Sequence, residues 1–446
     1  MQVVALHKST SIIRPLKAVA MATAFAFYTI YLTLYEVSNR KMTTNEHLMK
    51  TYAPLDVTFD HGEGAYLWDT NKQKYLDALC GIAVCGLGHA HPAITETISK
   101  QAAKLLHTSN LYQIDNQQHL AGQLCELSGM SRAFFSNSGA EANEAAIKIA
   151  RLYGHNNNIA NPNIIVMDNS FHGRTMATLS ATGNRKVQAG FEPLVQGFIR
   201  APYNNIEAIK NIADNNNDVV AILVEPVQGE GGINIPDPDY LNQLREICDK
   251  QNWLLMLDEI QTGMARTGEW FAFQHNGIQP DVMTLAKALG NGVPIGACLA
   301  NDKAGAVLQP GNHGSTFGGN PLMCATASTV IDTIKSENLL ANVKQMSQHI
   351  TNGFSKKLTQ LDSVSEIRNL GLMIGIELNP DNLNIECSEL VKLALEEQLL
   401  INVTAGNVIR LLPPLIITQE QADTIINTVS ELILRSSKKD TAIQAA

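Results

Sequence analysis

The sequence predicts an α/β fold in which a mostly parallel β-sheet is covered by helices. Short apolar runs alternate with helix-like segments through the middle of the chain, and this alternation is typical of βαβ units. The runs are apolar throughout, as expected of parallel strands that are buried on both faces. The predicted parallel strands span 132–135, 164–166, 219–224, 254–257 and 282–285.

Two helices are predicted between these strands, over 140–152 and 238–251. For the second helix, Asp237 is the predicted N-cap and Pro238 occupies the first helical position. The N–H that proline lacks would have no partner within the helix at that position.

Polar side chains stand where four of the predicted strands end, namely Ser136, Asp168, Glu225 and Asp258. Ligands of such sheets bind beyond the carboxyl ends of the strands. Any one of these residues is equally well a helix cap, but several together predict a binding site at this edge of the sheet.

Charge and cysteine content limit the classes of function. The 446 residues include 33 Lys and Arg against 42 Asp and Glu, a net charge of −9, which argues against a nucleic-acid partner and favours small-molecule ligands. The seven cysteines are scattered without a C-x-x-C pair, which predicts free thiols in the cytoplasm. His89 and His91 form an H-x-H pair between Gly88 and Pro92, where we expect a loop and no metal site.

Residues 1–41 form an N-terminal extension with five basic side chains and one acidic one, which leaves −13 for the remainder. Its stretch 18–35 is uncharged, and three interpretations stay open. The stretch is a short membrane anchor, part of a targeting peptide, or upstream sequence before a natural start at Met42. We favour the last, and otherwise predict no membrane contact.

The segment that follows the first predicted strand has the features of an anion-binding turn. Free N–H groups at the start of the next helix, together with the Ser138 hydroxyl, form such a turn, although a simple helix cap gives the same pattern. No G-x-x-x-x-G-K-[ST] is present, and the glycines between 290 and 296 have the wrong spacing for a dinucleotide fingerprint. A P-loop is therefore excluded and a nicotinamide cofactor is disfavoured.

Lys287 lies in an apolar run with no acid within five residues. Such a lysine either snorkels towards a distant partner or is desolvated, which lowers its pKa and makes it nucleophilic. Together with the anion-binding turn and Asp258, Lys287 meets the requirements of pyridoxal phosphate. The aldehyde of this cofactor needs a lysine, its phosphate needs a helix N-terminus and its ring nitrogen needs a carboxylate.

Seven ordered stretches resemble the class III (ω-amino) aminotransferases, in particular their acetylornithine branch. The similarity runs from about residue 45 to about residue 435. The stretches are GEGAYLWDTNKQKYLDALCGIAVCGLGHAHP from Gly62, FSNSGAEANEAAIKIAR from Phe135, FHGRTMATLSATGN from Phe171, VEPVQGEGG from Val224, LDEIQTGMARTG from Leu257, LAKALGNGVPIGA from Leu285 and HGSTFGGNP from His313.

The resemblance implies the pyridoxal-phosphate fold type I. A large cofactor-binding domain over 101–325 would be joined by a smaller α+β domain, built from an N-terminal segment, 42–100, and a C-terminal segment, 326–446. It also implies a homodimer with shared active sites, because Thr316 matches a phosphate ligand that this family donates across the dimer interface.

The cofactor-binding residues follow from the same resemblance. Lys287 would bind the cofactor covalently and transfer protons, Asp258 would pair with the ring nitrogen, and Gln261 would reach the ring hydroxyl. The other implied cofactor ligands are Ser138, Gly139 and Ala140 at the phosphate and Phe171 on the ring face.

Two arginines resemble the carboxylate clamps of the family. Arg174 would hold the α-carboxylate of acetylornithine and the side-chain carboxylate of glutamate, and Arg410 would hold the α-carboxylate of glutamate or 2-oxoglutarate. Glu230 resembles the acid that pairs with Arg410 while the amine is bound, and Tyr52 and Ser315 are further substrate-binding candidates. From the residues alone, each arginine is equally well part of a surface ion pair.

The implied activity transfers the δ-amino group of N2-acetylornithine to 2-oxoglutarate, a step of arginine biosynthesis. Ornithine, succinylornithine and N-succinyl-diaminopimelate stay open as substrates, because branch motifs discriminate acyl groups weakly. A membrane-tethered homologue without catalysis is an alternative of another class, and the intact Lys287, Asp258 and clamp arginines argue against it.

Overall fold

The computed structural model describes residues 47–438, and residues 47–57 form a unit separate from the rest. The uncharged stretch 18–35 lies outside the described residues, so its three interpretations remain untested. Within the described part of the chain, no helix is both long and apolar enough to cross a membrane.

Fifteen strands lie within the described residues. In chain order they are β1 (Phe59–Glu63), β2 (Tyr66–Asp69), β3 (Lys74–Asp77), β4 (Arg132–Ser136), β5 (Asn163–Met167), β6 (Phe198–Ala201), β7 (Val219–Val224), β8 (Leu254–Asp258), β9 (Val282–Leu285), β10 (Gly296–Ala300), β11 (Val364–Leu370), β12 (Met373–Leu378), β13 (Leu399–Leu400), β14 (Asn402–Thr404) and β15 (Val408–Leu411).

The α-helices of the same part of the chain surround these strands. They are α1 (Pro92–Lys104), α2 (Asp115–Ser128), α3 (Gly139–Asn156), α4 (Met176–Ala181), α5 (Arg185–Gln188), α6 (Ile206–Asn215), α7 (Tyr240–Gln251), α8 (Asp302–Gly305), α9 (Pro321–Ser336), α10 (Leu339–Leu358), α11 (Leu390–Glu396) and α12 (Gln419–Ser436). A short turn over Cys80–Ala83, with positive φ at its residues, precedes α1.

The main sheet of the described region has seven strands in the order β4-β10-β9-β8-β7-β5-β6. The strand pairs β9-β8, β8-β7, β7-β5 and β5-β6 are parallel, and β10 is antiparallel to both of its neighbours, β4 and β9. The predicted α/β class with a mostly parallel sheet is therefore confirmed. For β4, the expected parallel pairing is wrong, because its partner in the described structure is the antiparallel β10.

The central strands of this sheet are buried on both faces. Every residue of β7 is buried, and α3 packs against β7, β9 and β10. Three alanines of α3 face the sheet side of the core and are 0% exposed, namely Ala142, Ala145 and Ala146. Alanines at these positions let the helix lie close to the strands, and this closeness brings the N-terminal end of α3 to the edge of the sheet.

Helix α7 begins later than predicted. Its first helical residue is Tyr240 and its N-cap residue is Asp239, so the start at Pro238 with Asp237 as N-cap is wrong. The Tyr240 N–H donates to the Asp237 carbonyl at 3.0 Å, which makes 237–240 a turn that leads into the helix. The Asp237 N–H itself donates to Asn204 Oδ1 at 3.0 Å, which joins this turn to the loop after β6.

Two four-stranded sheets of the described residues complete the fold, in the orders β1-β2-β3-β13 and β11-β12-β15-β14. The first joins distant parts of the chain, since β13 pairs in parallel with β3 through Leu399 and Leu76. This pairing explains how N- and C-terminal segments form one smaller α+β part, as the fold class predicted. The domain boundaries at 100 and 325 stay predictions.

Candidate active site

A cavity of about 440 Å³ opens beyond the carboxyl ends of the parallel strands. Glu225 follows β7, Asp258 ends β8, and Lys287 follows β9, and all three line this cavity. The two other polar residues noted at strand ends, Ser136 and Asp168, are not part of the cavity lining within the described residues. The predicted site residues that line it are Ser138, Gly139, Ala140, Phe171, Arg174, Glu230, Asp258, Gln261 and Lys287.

The amine of Lys287 is held in a desolvated position. Burial lowers its pKa from 10.5 to about 8, with Arg410 acting in the same direction and Glu230 and Asp258 opposing. The residue borders the cavity and is otherwise enclosed by protein. Its backbone has a φ of +45°, a conformation that costs a residue other than glycine about 1–3 kcal/mol and that is found where a site demands it.

The Asp258 carboxylate is fixed by several donors. Its Oδ2 accepts from Asn143 Nδ2 and from His172 Nδ1, each at 2.8 Å, and its Oδ1 accepts from the Ile260 N–H at 3.1 Å. The side chain is 3% exposed. A buried carboxylate requires this degree of compensation, because an unpaired charge in such a place is strongly destabilising.

The start of α3 combines the two roles that the sequence left open for Ser138. Ser138 is the N-cap residue, and its Oγ accepts from the Glu141 N–H at 3.2 Å. The same helix end borders the cavity, where the positive end of the helix dipole favours an anion. A Cβ at Gly139 would lie 2.7 Å from Ile260 Cδ1, so the Ile260 side chain packs directly against this turn and would have to shift for a larger residue.

Glu225 is a second buried acid of the cavity. Burial raises its pKa to about 7, the Asp258 charge adds to the effect, and His172 opposes it. Its carboxyl accepts from the N–H groups of Phe171 and Gly229 at 3.0 and 3.3 Å. The Glu225 carboxyl therefore gains or loses its proton near neutral pH, and its charge is felt by Asp258.

The polar groups of the cavity fit pyridoxal phosphate. Gln261 Oε1 is buried and has no partner among the described residues, so it is available to a hydroxyl donor of a ligand. Lys287 offers a nucleophilic amine, Asp258 an acceptor for a ring N–H, and the start of α3 an anion site. These four functions are the ones that an aldehyde, a ring hydroxyl, a pyridinium nitrogen and a phosphate require.

The two clamp arginines are in different states. Arg410, in β15, is 1% exposed, and its Nη1 bonds Glu230 Oε1 at 2.7 Å while Nε and Nη2 donate to Asn402 Oδ1. Arg174 lies over the Phe171 ring with its guanidinium 5.5 Å from the ring centre. Within residues 47–438, Arg174 makes no ion pair, whereas the charge of Arg410 is neutralised by Glu230.

The cavity lining within residues 58–438 does not include three of the predicted residues, namely Arg410, Ser315 and Thr316. Thr316 is exposed in the loop before α9. Ser315 Oγ accepts from Asn137 Nδ2 at 3.2 Å and so supports the phosphate turn from behind. Tyr52 belongs to the separate unit of residues 47–57, where it is 88% exposed.

Sequence reasoning missed His172 and Asn143. Both lie within stretches that carry the family resemblance, and both contact Asp258. Neither has a signal of its own in the sequence, because only the folded chain brings α3 and the loop after β5 to the end of β8. His89 and His91 bond two different carboxylates, those of Asp77 and Glu337, and no cluster of potential metal ligands occurs in the described region.

Comparison with known proteins places the chain in a large group of relatives. The profile of the aminotransferase class-III family matches residues 48–433. The acetylornithine aminotransferase of Nitrosomonas europaea is 56% identical over 387 residues, which cover 87% of this chain and 97% of that protein. Acetylornithine aminotransferase 1 of Bordetella bronchiseptica is 51% identical over 386 residues, 86% of this chain and 97% of that protein.

Solved structures of similar proteins have the same fold. The acetylornithine aminotransferase of Elizabethkingia anophelis superimposes with a TM-score of 0.78 at 36% identity, covering 88% of this chain and 97% of that one. The ornithine aminotransferase of Toxoplasma gondii superimposes with a TM-score of 0.86 at 33% identity, covering 90% and 97%.

The lowered pKa of Lys287 predicts an unusual pH dependence of its reactivity. A pKa of about 8 leaves about one amine in ten neutral at pH 7, against fewer than about one in a thousand for an ordinary lysine. We expect covalent capture of pyridoxal phosphate by the cofactor-free protein to accelerate up to about pH 8 and to level off above it. Stopped-flow absorbance measures this rate, with Nα-acetyl-lysine as the control amine, and a rate that still rises steeply at about pH 10 would contradict the assignment.

Proposed function

The chain belongs to the class-III aminotransferases, and from that premise we propose that it transfers the δ-amino group of N2-acetylornithine to 2-oxoglutarate. The products are N-acetylglutamate 5-semialdehyde and glutamate. The observation that carries this proposal is that Arg174 lines the cavity without an ion pair among the described residues, while Glu230 lines the same cavity and neutralises Arg410 behind it. The curated relatives with that name, at 45–56% identity, support it further.

The protein is a pyridoxal-phosphate-dependent aminotransferase. When bound, the cofactor supplies an aldehyde that captures primary amines and a ring that withdraws electrons from the captured carbon. We assign its binding to the residues that line the cavity: Lys287 at the aldehyde, Asp258 at the ring nitrogen, Gln261 at the ring hydroxyl, Phe171 at the ring face, and Ser138, Gly139 and Ala140 at the phosphate.

Lys287 is suited to move a proton as well as to hold the cofactor. A base works best when its pKa lies near the working pH, because it then accepts and returns the proton with similar ease. The pKa of about 8 at Lys287 Nζ satisfies this condition. In the proposed reaction, Nζ would take the proton from the amine-bearing carbon of acetylornithine and deliver it to the former aldehyde carbon of the cofactor, and in the second half-reaction it would carry a proton in the opposite direction.

The two half-reactions need carboxylate clamps at different distances from the reacting carbon. Acetylornithine reacts at its δ-carbon, far from its carboxylate, whereas 2-oxoglutarate reacts next to one carboxylate and far from the other. Arg174 would hold the remote carboxylate in both cases. Arg410 would hold the near carboxylate of 2-oxoglutarate alone, and its planar guanidinium suits that bidentate contact.

Glu230 makes this exchange possible without movement of Arg410. Two bonds from Arg410 to Asn402 Oδ1, at 3.1 and 2.8 Å, keep the guanidinium in place. The Glu230 side chain is 37% exposed, against 1% for Arg410, so it is the partner that can swing into solvent. With Glu230 in place, Arg410 presents no free charge to the amine substrate.

The charges of the cavity favour an acylated amine over free ornithine. A second ammonium group would need a free carboxylate, but the acids that line the described cavity are already bonded. Asp258 bonds His172 and Asn143, Glu225 bonds two backbone N–H groups, and Glu230 bonds Arg410. A neutral acetamide suits the apolar side chains of the wall, which include Val84 and Val293.

We further propose a homodimer with shared active sites in the cytoplasm. Thr316 is exposed, and the segments around it expose large apolar side chains, with Leu111 86%, Tyr112 70% and Phe317 61% exposed. Apolar side chains exposed this far suit an interface with a second copy. The seven cysteines all lie within the described residues and are free, which supports a reducing compartment.

A substrate panel tests the proposed specificity. We expect the purified protein to use acetylornithine with a kcat/KM at least about tenfold above that of ornithine, because a buried unpaired ammonium is costly. Succinylornithine and N-succinyl-diaminopimelate complete the panel. Lys287→Ala is the control and should lose both turnover and the visible absorbance of the bound cofactor. Preference for free ornithine would overturn the substrate assignment, and wild-type turnover of Lys287→Ala would overturn the catalytic one.

The two arginines should separate kinetically. We expect Arg410→Gln to raise the KM for 2-oxoglutarate by about tenfold or more, since a charge-assisted contact is lost, and to leave the acetylornithine half-reaction near its normal rate. Arg174→Gln should weaken both half-reactions. Single-turnover kinetics of each half-reaction measures the difference. If Arg410→Gln impaired both halves equally, Arg410 would not be a clamp for one substrate.

Shared active sites predict complementation between two defective chains. A dimer of Lys287→Ala and Thr316→Ala chains would contain one site with both native residues. Random pairing of equal amounts should therefore restore about a quarter of the wild-type activity. Co-expression with two affinity tags isolates the mixed dimer. A mixed dimer that is no more active than Thr316→Ala alone would argue against a role for Thr316 across the interface.

A further inference from the structure

We propose that His172 is a positioning residue that orients the Asp258 carboxylate towards the ring nitrogen of the cofactor. The inference deepens the proposed function, because it rests on the assignment of Asp258 to that nitrogen. His172 would not touch the substrate. It would act through a single hydrogen bond, from its Nδ1 to Asp258 Oδ2 at 2.8 Å.

The hydrogen atoms of this contact are set by the chemistry of the pair. An ionised carboxylate can only accept, so the imidazole nitrogen that faces it carries the hydrogen. His172 is 1% exposed, and solvent therefore does not compete for the bond. A charge-assisted bond of this kind is shorter and stronger than a neutral one.

The lone pairs of Asp258 show what the bond achieves. Each carboxylate oxygen offers about two acceptor positions. Among the described residues, Oδ2 accepts from both Asn143 Nδ2 and His172 Nδ1, and Oδ1 accepts from the Ile260 N–H. One position on Oδ1 remains for a donor in the cavity that Asp258 lines. Rotation of the carboxylate would break all three bonds, so this acceptor has a fixed direction.

Residues from several elements of the fold hold His172 and Asn143 in position. The His172 N–H donates to Thr182 Oγ1 at 2.9 Å, and its carbonyl accepts from Asn143 Nδ2 at 2.8 Å. The Asn143 side chain is oriented in turn by Thr284, whose Oγ1 donates to Asn143 Oδ1 at 2.8 Å. Helix α3, strand β9 and the loop after β5 thus converge on one carboxylate.

Packing alone does not account for a histidine at this position. Its second ring nitrogen, Nε2, is buried without a hydrogen-bond partner among the described residues. Leaving a buried polar atom unpaired is unfavourable, and an apolar ring would fill the same space without that penalty. The contact of Nδ1 with Asp258 is the compensating feature.

Two amide variants separate positioning from packing. In His172→Asn, the Nδ2 group is as many bonds from the backbone as the histidine Nδ1, so it can donate to Asp258. In His172→Gln, the amide lies one bond further away and cannot take the same place. We expect His172→Asn to bind pyridoxal phosphate within about threefold of the wild-type affinity and His172→Gln to bind it about tenfold more weakly, the loss typical of one bond to a charged group.

The decisive probe is a cofactor without the ring nitrogen. Full-length protein stripped of its cofactor is titrated with pyridoxal phosphate and with its 1-deaza analogue, and absorbance and fluorescence give both dissociation constants. We expect His172→Gln to weaken binding of pyridoxal phosphate and to leave binding of the analogue unchanged. Equal weakening of both would show a merely structural role, and unchanged binding of both would show that His172 does not position Asp258.

Two further measurements keep the outcome unambiguous. Thermal unfolding of each stripped variant checks that the fold is intact, and if His172→Gln does not fold, Asn143→Ala serves in its place because it removes the other donor to the same oxygen. The selective loss for pyridoxal phosphate should reappear in that variant, and its absence overturns the proposal. If the wild-type protein bound neither cofactor, the cofactor site itself would be wrong, independently of His172.

Discussion

The burial of charged side chains around one cavity is the constraint on which the site depends. Burial makes a charged group costly, and it therefore brings the pKa values of the acid and the base of the cavity closer together. The pKa of Lys287 falls to about 8 while that of Glu225 rises to about 7. Both groups can therefore exchange a proton near neutral pH, where an ordinary lysine and an ordinary glutamate would each stay charged.

The parallel sheet builds this cavity by bringing strand ends together. Strands β7, β8 and β9 are neighbours, so the residues that follow them meet although they are far apart in the chain. The alanine face of α3 lets that helix approach the sheet, and Gly139 lets its first turn approach the loop after β8. An anion site at the helix end and a carboxylate at a strand end thus come to lie around one ligand, with Lys287 on the same edge.

The two arginines that we propose as substrate clamps come from different parts of the fold, which suits their separate proposed tasks. Arg174 follows β5 of the main sheet, whereas Arg410 lies in β15 of a smaller sheet. Arg410 is held by Asn402 on the neighbouring strand β14, and its charge is covered by the more exposed Glu230. In the proposed function, a rigid arginine with a movable acid would admit an amine and a keto acid to the same cavity in turn.

The sequence by itself determined the fold class and the cofactor chemistry and predicted Lys287 as the catalytic lysine, because apolar runs and a lysine without nearby acids are local signals. It also determined β7 and β9 to the residue, since each is an uninterrupted apolar run. It missed β6 and β10 and the antiparallel pairing of β4, because pairing depends on contacts far apart in the chain. Only the tertiary structure decided that Asp237 stays outside α7 and that His172 and Asn143 meet at Asp258. Each of these depends on where the donor groups of distant segments lie, and a linear sequence does not specify those distances.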